Sequence, residues 1–511
     1  MFFCLFLILT AFIGAVVSFY LWQWTFWRRR GVPGPPSIPV LGNKLSLMSK
    51  DAPAALVLRD WTTEYGKTYG IQEGIQQVLV TSDPVILLEV FQNQFENFHG
   101  RKLFIPNDPK AKRVHLVGAS GNRWKRLRTI SSHAFTTGSL KKIHAIVENS
   151  ALDLLSFIEK NSSEVIDFDK YYHEYTMDII NRVAMGQTES KMFNDPMLDV
   201  FSQRFDSIAQ FIGTINVILP EAVTNRIDLR ILGKLFKKKH PVVQITEKIE
   251  KAVHNRIEQR EKDLAAGIEQ GEPIDFIDLF LDARSEEFFE ETQGEEFTKA
   301  HKKVSRQMTT DEVIAQCLVF MVAGFDTTAF ALSFTTHLLA THPDVQKKVQ
   351  DEISRECQDS SIDFDSLTRL KYLDAVIKET LRLFPLSSSL ISRKCTKDTI
   401  VGETKIEKGT FVQADVWTLH YDKKLWGENA EEFVPERWLE GDVNKNNWLP
   451  FGHGPRQCIA MRLAMIEEKL LLAHLFRKYT IVPRPETKKL KLIGPVLIQP
   501  ESCSFKVVER V

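Results

Sequence analysis

A cysteine near the carboxyl end of the chain lies where a thiol can do chemistry. Cys458 ends the segment 451–458 (FGHGPRQC), in which two glycines and a proline exclude a regular helix. Strong helix formers follow from Ala460 to Leu472, so Cys458 is expected at a helix N-terminus, where backbone N–H groups and the helix dipole favour a thiolate. Such a low-pKa cysteine suits a soft metal ligand or a nucleophile. A small buried core cysteine is the alternative from the loop alone.

A second candidate site lies inside a long apolar helical pattern. Its segment 323–328 (AGFDTT) places Gly324 and Asp326 in mid-helix, where both are locally unfavourable; a helical glycine alone costs about 1 kcal/mol. Exceptions of this kind tend to mark function. Gly324 and Thr327 share a face, so the helix is expected to approach a flat ligand there, and Asp326 beside Thr327 can relay protons. A core helix with one solvated aspartate is the alternative.

Two further patterns carry arginines at helical spacing. In the predicted helix 370–384, Glu379 and Arg382 are three residues apart and can form an ion pair, although an isolated E-x-x-R is common in helices. Trp124 and Arg128 are four residues apart and share a helix face. For any single arginine, a solvated surface position is the ordinary alternative.

The elements that would position these residues are mostly helical. Long helical patterns are predicted near residues 140–160, 171–186, 245–264, 310–340, 343–356, 368–384 and 459–479. A hairpin is predicted from Tyr69 to Val80, and a strand-rich patch around Thr399–Asp415. The polar stretch Arg284–Lys303 predicts an irregular connection. The sequence therefore predicts a mostly α body with a small β-rich subdomain.

Residues 1–30 are predicted to form a single N-terminal membrane anchor. No charged residue occurs from Phe2 to Trp27, and three arginines follow at once. A helix of this length rises about 39 Å, more than the roughly 30 Å of a hydrocarbon core. Aromatic residues gather at its C-terminal end, as in an interfacial belt, and the positive-inside rule puts the arginines and the body on the cytoplasmic side. A cleaved signal peptide is the alternative, but its basic start and small-residue cleavage site are poorly matched.

The composition of the rest of the chain indicates its domain layout and excludes some classes of protein. Residues 31–50 begin with a stretch rich in proline and glycine, which predicts a stiff hinge, and residues 51–511 form the predicted catalytic body. The 66 basic and 66 acidic residues balance, which argues against a nucleic-acid-binding protein. The six cysteines show no C-x-x-C spacing, and a disulfide framework is not expected in a chain of 511 residues.

These patterns together resemble the cytochrome P450 family of haem-thiolate enzymes. The cysteine loop resembles the family pattern F-x-x-G-x-R-x-C-x-G at Phe451, Gly454, Arg456 and Cys458, but Ala460 stands where the family has glycine. The AGFDTT segment is similar to the family's oxygen-activation motif at every position, and the Trp-to-Arg spacing of the WKRLR segment matches its W-x-x-x-R helix.

The element PERW at residues 435–438 is similar to the family's P-E-R-F. Its presence makes the E-x-x-R pair, which is common on its own, a more specific sign of the family. With the proline hinge, the motifs follow the family's order from residue 33 to residue 460. The residues of the WKRLR and cysteine segments are similar to those of the animal clan that contains drug-oxidising enzymes and thromboxane synthase. The resemblance implies a cytochrome P450 fold preceded by a single N-terminal transmembrane helix.

The resemblance also implies residue roles around a haem b cofactor. Cys458 would be the axial iron ligand, and a thiolate in that position favours O–O bond cleavage. Thr327, backed by Asp326, would manage protons where oxygen is activated. The remaining cofactor-binding residues would be Phe451 and Gly324, with Trp124, Arg128, Arg456 and Arg393 near the propionates. Glu379, Arg382 and Arg437 would lock together behind the haem in a structural role.

The implied activity is that of a microsomal monooxygenase. It would insert one oxygen atom from O2 into an apolar xenobiotic, lipid or steroid, using electrons from NADPH through NADPH–cytochrome P450 reductase, with cytochrome b5 as a further donor. It would lie in the endoplasmic reticulum membrane, with its catalytic domain facing the cytoplasm. The reductase would dock on the basic residues Arg123, Lys125, Arg126, Arg462 and Lys469, unless these are ordinary solvated charges.

Substrate contacts and two rival activities stay open at this stage. The substrate would meet segments 101–120 and 201–220, Phe320, Phe325 and the stretch Leu386–Leu390, although plain core is the commoner fate of a lone phenylalanine. One rival is a haem-thiolate isomerase of endoperoxides or hydroperoxides, which can dispense with the acid–threonine pair. The other is a non-catalytic haem-fold membrane protein, which the intact cysteine, acid and threonine oppose.

Overall fold

The chain is described from a computed structural model, which covers residues 2–49, 52–103, 111–202, 214, 217–219, 241–269, 271–273, 275–285, 297, 306–441, 443–484 and 490–510. Helices dominate it, as predicted. In chain order they are α1 Phe2–Trp24, α2 Phe26–Arg29, α3 Lys44–Leu47, α4 Ala54–Tyr65, α5 Pro84–Leu88, α6 Gly121–Ser131, α7 Thr137–Lys160, α8 Phe168–Met185, α9 Pro196–Ser202, α10 Pro241–Ala265, α11 Phe276–Asp282, α12 Thr310–Thr341, α13 Pro343–Glu356, α14 Phe364–Arg369, α15 Lys371–Leu383, α16 Val416–Tyr421, α17 Lys423–Trp426 and α18 Met461–Lys478.

The strands form small sheets, in agreement with the predicted minor β component. They are β1 Thr68–Glu73, β2 Gln76–Thr81, β3 Ile166–Asp167, β4 Ser392–Lys394, β5 Thr399–Val401, β6 Thr404–Ile406, β7 Phe411–Ala414, β8 Tyr479–Val482, β9 Leu492–Ile493, β10 Gln499–Pro500 and β11 Ser504–Glu509. The main sheet has the order β1-β2-β7-β4, with β2 and β7 parallel and the other neighbours antiparallel. Both strand patches predicted from the sequence are confirmed.

The central helix α12 organises the body. The side chain of Thr309 accepts from the backbone N–H of Glu312, and the Glu312 carboxylate accepts from the N–H of Thr309, so a capping box fixes the start of α12. The helix then runs through the largest core cluster and packs mainly against α8, with α10, α15 and α18 around it. Residues 313–340 are largely buried, which is why a stretch this apolar belongs to the protein core.

The first helix differs from every core element. Among the described residues, two helices, α1 and α12, are long and apolar enough to cross a membrane, but α12 is mostly buried within the body, whereas no residue of α1 is buried. Not all of the predicted aromatic belt is free to face lipid, because the Trp27 indole donates to the Ile71 carbonyl at 2.8 Å and the Tyr20 hydroxyl to the Ile218 carbonyl at 3.0 Å. Arg30 pairs with Glu407 at 2.5 Å and ties the end of the predicted anchor to the body.

The proline-rich segment after the anchor is seated against the sheet. The Gly70 N–H of β1 donates to the Pro33 carbonyl at 2.8 Å, and a Cβ on Gly34 would collide with the Gly70 carbonyl oxygen. A glycine is therefore needed where the two backbones approach. We infer that the predicted hinge at residues 31–50 is stiff because it packs on β1 as well as because of its prolines.

Candidate active site

The cysteine loop is held in shape by its backbone. Gly452 and Gly454 adopt φ of +72° and +69°, and a Cβ on Gly454 would collide with the carbonyl oxygen of Phe91, so a side chain is excluded there. The N–H of Cys458 donates to the Phe451 carbonyl at 2.9 Å and closes the loop. Ala460 has φ −93° and ψ 9°, which any L-residue adopts, so the backbone does not require the family's glycine at this position.

The Cys458 thiol is accessible although it lies deep in the fold. Its side chain is exposed, yet it lies deep enough that burial raises the pKa of the thiol. The backbone N–H groups of Ala460 and Met461 and the charges of Arg101 and Arg128 act in the opposite direction and favour the thiolate. The low pKa expected from the helix N-terminus is therefore wrong for the free thiol, because desolvation outweighs the dipole. The same donors and charges stabilise a thiolate that a metal ion holds deprotonated.

Four arginines form a cluster beside this thiol, of which Arg101 and Arg128 act on the thiol itself and Arg393 and Arg456 adjoin Arg101. Arg393 and Arg456 are almost completely buried, Arg101 donates to the Arg456 carbonyl at 2.6 Å, and the Arg456 guanidinium stacks on the Trp124 ring at 4.8 Å. Burial, together with the neighbouring guanidinium groups, lowers the pKa values of Arg393 and Arg456 well below the ordinary arginine value. Burial also lowers the pKa of Arg101 to about 10, with nearby Cys458 opposing it and Arg128 adding to it. Like charges gathered at such cost indicate a site for an anion.

The buried guanidinium groups fit the two carboxylates of haem b. The Nε atoms of Arg101, Arg393 and Arg456 are buried without a hydrogen-bond partner. Across the described residues, no carboxylate pairs with these three arginines or with Arg128. An accessible thiol beside unpaired buried cations matches a flat iron complex that needs one soft axial ligand and charge partners for its propionates. Arg101 was missed by sequence reasoning, because nothing in its local sequence sets it apart.

On α12 the acid and the threonine differ in their contacts. The Thr327 hydroxyl donates to the Ala323 carbonyl at 2.7 Å, and Asp326 Oδ1 lies 3.3 Å from Nε2 of His173 on α8. Gly324 does not face the ligand side as predicted, since a Cβ there would lie 2.5 Å from Cδ1 of Ile180 on α8. The missing side chain lets α8 and α12 approach each other, a packing role that residue spacing alone could not distinguish from a ligand-facing one.

The apolar residues that line the accessible face of α12 are different from those predicted. Phe320 and Phe325 are buried among other aromatic side chains, so they are core residues and not the expected substrate wall. Val322 and Ala323 are exposed in the middle of an otherwise buried helix. Of the predicted substrate segments, residues 104–110 and all of 203–220 except 214 and 217–219 lie outside the described residues.

The predicted ion-pair group is present, with Glu379 and Arg382 fully buried and the Arg437 side chain 11% exposed. Arg382 makes a bidentate pair with Glu379 at 2.8 and 2.9 Å, and Arg437 Nε donates to Glu379 Oε1 at 2.9 Å. The Trp438 indole adds a fourth bond to the same carboxylate at 2.9 Å. Arg382 also donates to the carbonyls of His420 and Ala430 and thereby ties α15 to the segment that leads into the PERW turn.

The predicted reductase-docking surface needs correction at three of its five residues. Arg123 and Arg126 are buried and both pair with Glu312 at the start of α12, at 2.9 and 2.7 Å. Lys469 is largely buried and pairs with Asp374 at 2.5 Å. Arg462 is exposed and Lys125 half-buried. Arg123 and Arg126 face inward because their partner carboxylate lies more than 180 residues away in the chain, at a contact that a local charge pattern cannot show.

Two buried carboxyl groups lie on α18, beneath α12. Burial raises the pKa of Glu467 to about 8, although a hydrogen bond with Thr328 opposes this. Burial and the adjacent Glu467 also raise the pKa of Glu468 well above its ordinary value. One carboxyl oxygen of Glu468 has no hydrogen-bond partner. The pair is therefore favoured in its neutral form.

Glu468→Gln is expected to stabilise the protein at neutral and alkaline pH. A carboxyl group whose pKa is raised by folding binds more protons in the folded state, so its contribution to stability is lost as pH rises above the unfolded pKa, by about 1.4 kcal/mol per pH unit. The melting midpoint of the variant should exceed that of the wild type at pH near 8, and the difference should shrink toward pH near 5. Glu509→Gln, at an exposed position on β11, is the control and should show no such trend; an equal gain at both pH values for Glu468→Gln would contradict the explanation.

Comparison with known proteins shows the family to which the chain belongs. The family model for cytochrome P450 matches residues 32–507. The chain is 47% identical to cytochrome P450 CYP13A10 of Caenorhabditis elegans, over 98% of each chain. It is 48% identical to CYP13A1 of the same organism over 96% of each chain, and 48% identical to CYP13A4 over 98% of this chain and 97% of that protein. Buried arginines around an accessible thiol and the acid–threonine helix now have a common explanation, since the chain belongs to the cytochrome P450 family, monooxygenases that bind haem b through a cysteine thiolate.

Proposed function

We propose that Cys458 is the thiolate ligand of the haem iron and that the chain oxidises an apolar small molecule, a xenobiotic, lipid or steroid. The observation that carries the proposal is the accessible Cys458 thiol beside buried arginines that have no carboxylate partner among the described residues. When bound, haem supplies reductive activation of O2 and the oxidising power to insert one oxygen atom. The exposed apolar side chains of Val322 and Ala323 support an apolar substrate.

The propionates would be held by the arginines and the tryptophan of this site. Arg101, Arg128, Arg393 and Arg456 supply positive charge, and Trp124 orients Arg456 by stacking. Phe451 contributes by closing the cysteine loop through its carbonyl. Glu379, Arg382 and Arg437 act at a distance, because their buried network fixes the segments that lead to the loop.

Electrons would come from NADPH through NADPH–cytochrome P450 reductase, with cytochrome b5 as a second donor. Arg462 and Lys125 remain as basic contacts for an acidic electron donor, because Arg123 and Arg126 form buried ion pairs with Glu312. The anchor α1, followed by three arginines, supports a single-pass protein of the endoplasmic reticulum membrane with its body toward the cytoplasm. In this proposal, residues 1–30 are the anchor, 31–50 the hinge and 51–511 the catalytic domain.

The protons needed for O2 activation would be delivered through Asp326 and Thr327. The Thr327 hydroxyl is bonded to a carbonyl of its own helix, and by rotating it can donate toward the accessible face of α12 instead. The Asp326 side chain is 37% exposed and can restore that proton. The pair favours monooxygenation over isomerisation of a peroxide, which consumes no protons.

Thr327→Ala is expected to uncouple the reaction. NADPH and O2 consumption should continue while product per NADPH falls by about a hundredfold, the lower end of what a positioned proton-transfer group contributes, and hydrogen peroxide should rise in proportion. Thr335→Ala is the matched control, because Thr335 makes the same bond to a carbonyl four residues back, at 2.9 Å, but in the buried part of α12. Fully coupled turnover by Thr327→Ala would contradict the relay, and turnover of substrate without NADPH would favour the isomerase.

A further inference from the structure

His173 lies between two carboxylates next to the proposed relay. Its Nδ1 is 2.7 Å from the Asp169 backbone carbonyl and 3.6 Å from the Asp169 carboxylate. Its Nε2 is 3.3 Å from Oδ1 of Asp326 on α12. The imidazole thus bridges α8 and α12 directly at the acid of the AGFDTT segment, and the family motifs of the sequence give no role to this position.

The hydrogen-bond geometry constrains where the protons of this pair can lie. A carbonyl oxygen only accepts, so Nδ1 of His173 must carry a hydrogen to bond Asp169. In a neutral ring, Nε2 would then present a lone pair to Asp326 Oδ1, and no hydrogen bond could form. A hydrogen bond at this contact therefore needs one further proton, either on Nε2, giving an imidazolium and a carboxylate, or on Asp326.

The surroundings favour proton retention by the pair. The charged groups that face the ring are Asp169 on its own helix and Asp326 on α12, and the other contacts are the rings of Phe325 and Phe330 at 4.9 and 5.2 Å. Burial lowers the pKa of His173, but the bond to Asp326 and the charges of both carboxylates outweigh it, so the pKa is raised overall. Asp169 accepts a hydrogen bond from Ser333 at 3.3 Å, and burial raises its own pKa; the charge of His173 opposes this effect and Asp167 adds to it.

We propose that His173 is a positioning residue that stores a proton for Asp326, so that the His173–Asp326 pair, and not Asp326 alone, resupplies Thr327. The inference rests on the proposed relay of Asp326 and Thr327. In the step, the Nε2 proton of the imidazolium moves to the Asp326 carboxylate and Asp326 passes a proton on to Thr327. This leaves a neutral ring whose Nε2 lone pair faces a carboxylate. That repulsive arrangement draws one proton from solvent and restores the starting state.

His173→Gln tests the proposal, because an amide can still donate to Asp326 but cannot titrate. Product per NADPH in the wild type should be constant at pH values below the raised pKa of His173. In His173→Gln it should fall by about tenfold at neutral pH, below the full contribution of a proton-transfer group, and decline further as pH rises. The solvent deuterium isotope effect on product formation should increase in the same variant.

The matched control is Tyr172→Phe. Tyr172 is the neighbouring residue on α8 and also bonds α12, through Thr336 at 2.5 Å, so its loss reports on helix packing alone. A flat pH profile in His173→Gln, or an equal pH-independent loss in both variants, would overturn the proposal.

A second readout does not depend on turnover. Proton uptake by the resting protein, followed with the infrared bands of its carboxyl groups, should show one titration step that either His173→Gln or Asp326→Asn removes. Persistence of the step in either variant would overturn the shared proton. Normal coupling in Asp326→Asn would instead refute the underlying relay, whereas uncoupling by Asp326→Asn with wild-type behaviour of His173→Gln would refute the role of His173 alone.

Discussion

Cys458→Ser is expected to abolish monooxygenation while leaving the fold in place. The loop is shaped by the backbone bond from Cys458 to Phe451 and by the positive φ of Gly452 and Gly454, none of which involves the sulfur. A serine hydroxyl has neither the softness nor the acidity of a thiol, so it should not replace the thiolate as the axial ligand. Product formation should fall by about a thousandfold or more, the scale on which an essential catalytic group acts.

This effect is checked by NADPH-dependent product formation and by haem content after purification. Cys4→Ser makes the same substitution at an exposed cysteine in α1 and should leave both quantities unchanged. Substantial monooxygenation by a folded Cys458→Ser protein would contradict the assignment of the ligand. Loss of haem with retained secondary structure would agree with it, because the arginines alone should not hold the cofactor.

Glu379→Gln is expected to have the largest effect on stability. The fully buried carboxylate accepts hydrogen bonds from Arg382, Arg437 and Trp438, so the substitution leaves the buried Arg382 and the largely buried Arg437 guanidinium groups without a counter-charge. Breaking a buried pair in this way costs about 3–5 kcal/mol, a large part of the roughly 5–15 kcal/mol that stabilises a folded domain.

The variant should therefore be recovered in low yield, lose haem and unfold at a lower denaturant concentration than the wild type. Glu436→Gln is a close control, since Glu436 lies in the adjoining PERW turn and pairs with Lys348 at the surface, at 2.7 Å. Such exposed pairs contribute about 1 kcal/mol or less. Equal unfolding midpoints for the two variants would contradict a structural role for the buried network.

The parts of the site that the sequence predicts well are those built from local chemistry. The glycines around Cys458 require a tight loop, and the capping box at Thr309 marks where the central helix begins. Glu379 and Arg382 lie on one turn of α15, so their spacing alone brings them together. These features depend on backbone conformation and near neighbours, which a sequence carries directly.

The parts that were missed depend on how distant elements face each other. Phe325 and Gly324 lie inside AGFDTT, but the rotation of α12 against α8 turns them away from the accessible face. The sequence predicts Arg123 and Arg126 to be surface charges, because Glu312, which pairs with both in the fold, lies far from them in the chain. Arg101 and His173 are recognised as site residues only by their contacts with Arg456 and Asp326, and no local sequence pattern connects either pair.

The absorption spectrum of the reduced, carbon monoxide-treated wild-type protein tests the central claim most directly. Carbon monoxide on a haem iron reports the opposite axial ligand, and a thiolate shifts the Soret band to longer wavelength than a nitrogen ligand does. With Cys458 as the ligand, the folded wild-type protein should show the red-shifted band. A folded, haem-containing wild-type protein that shows only the shorter-wavelength band would contradict the account.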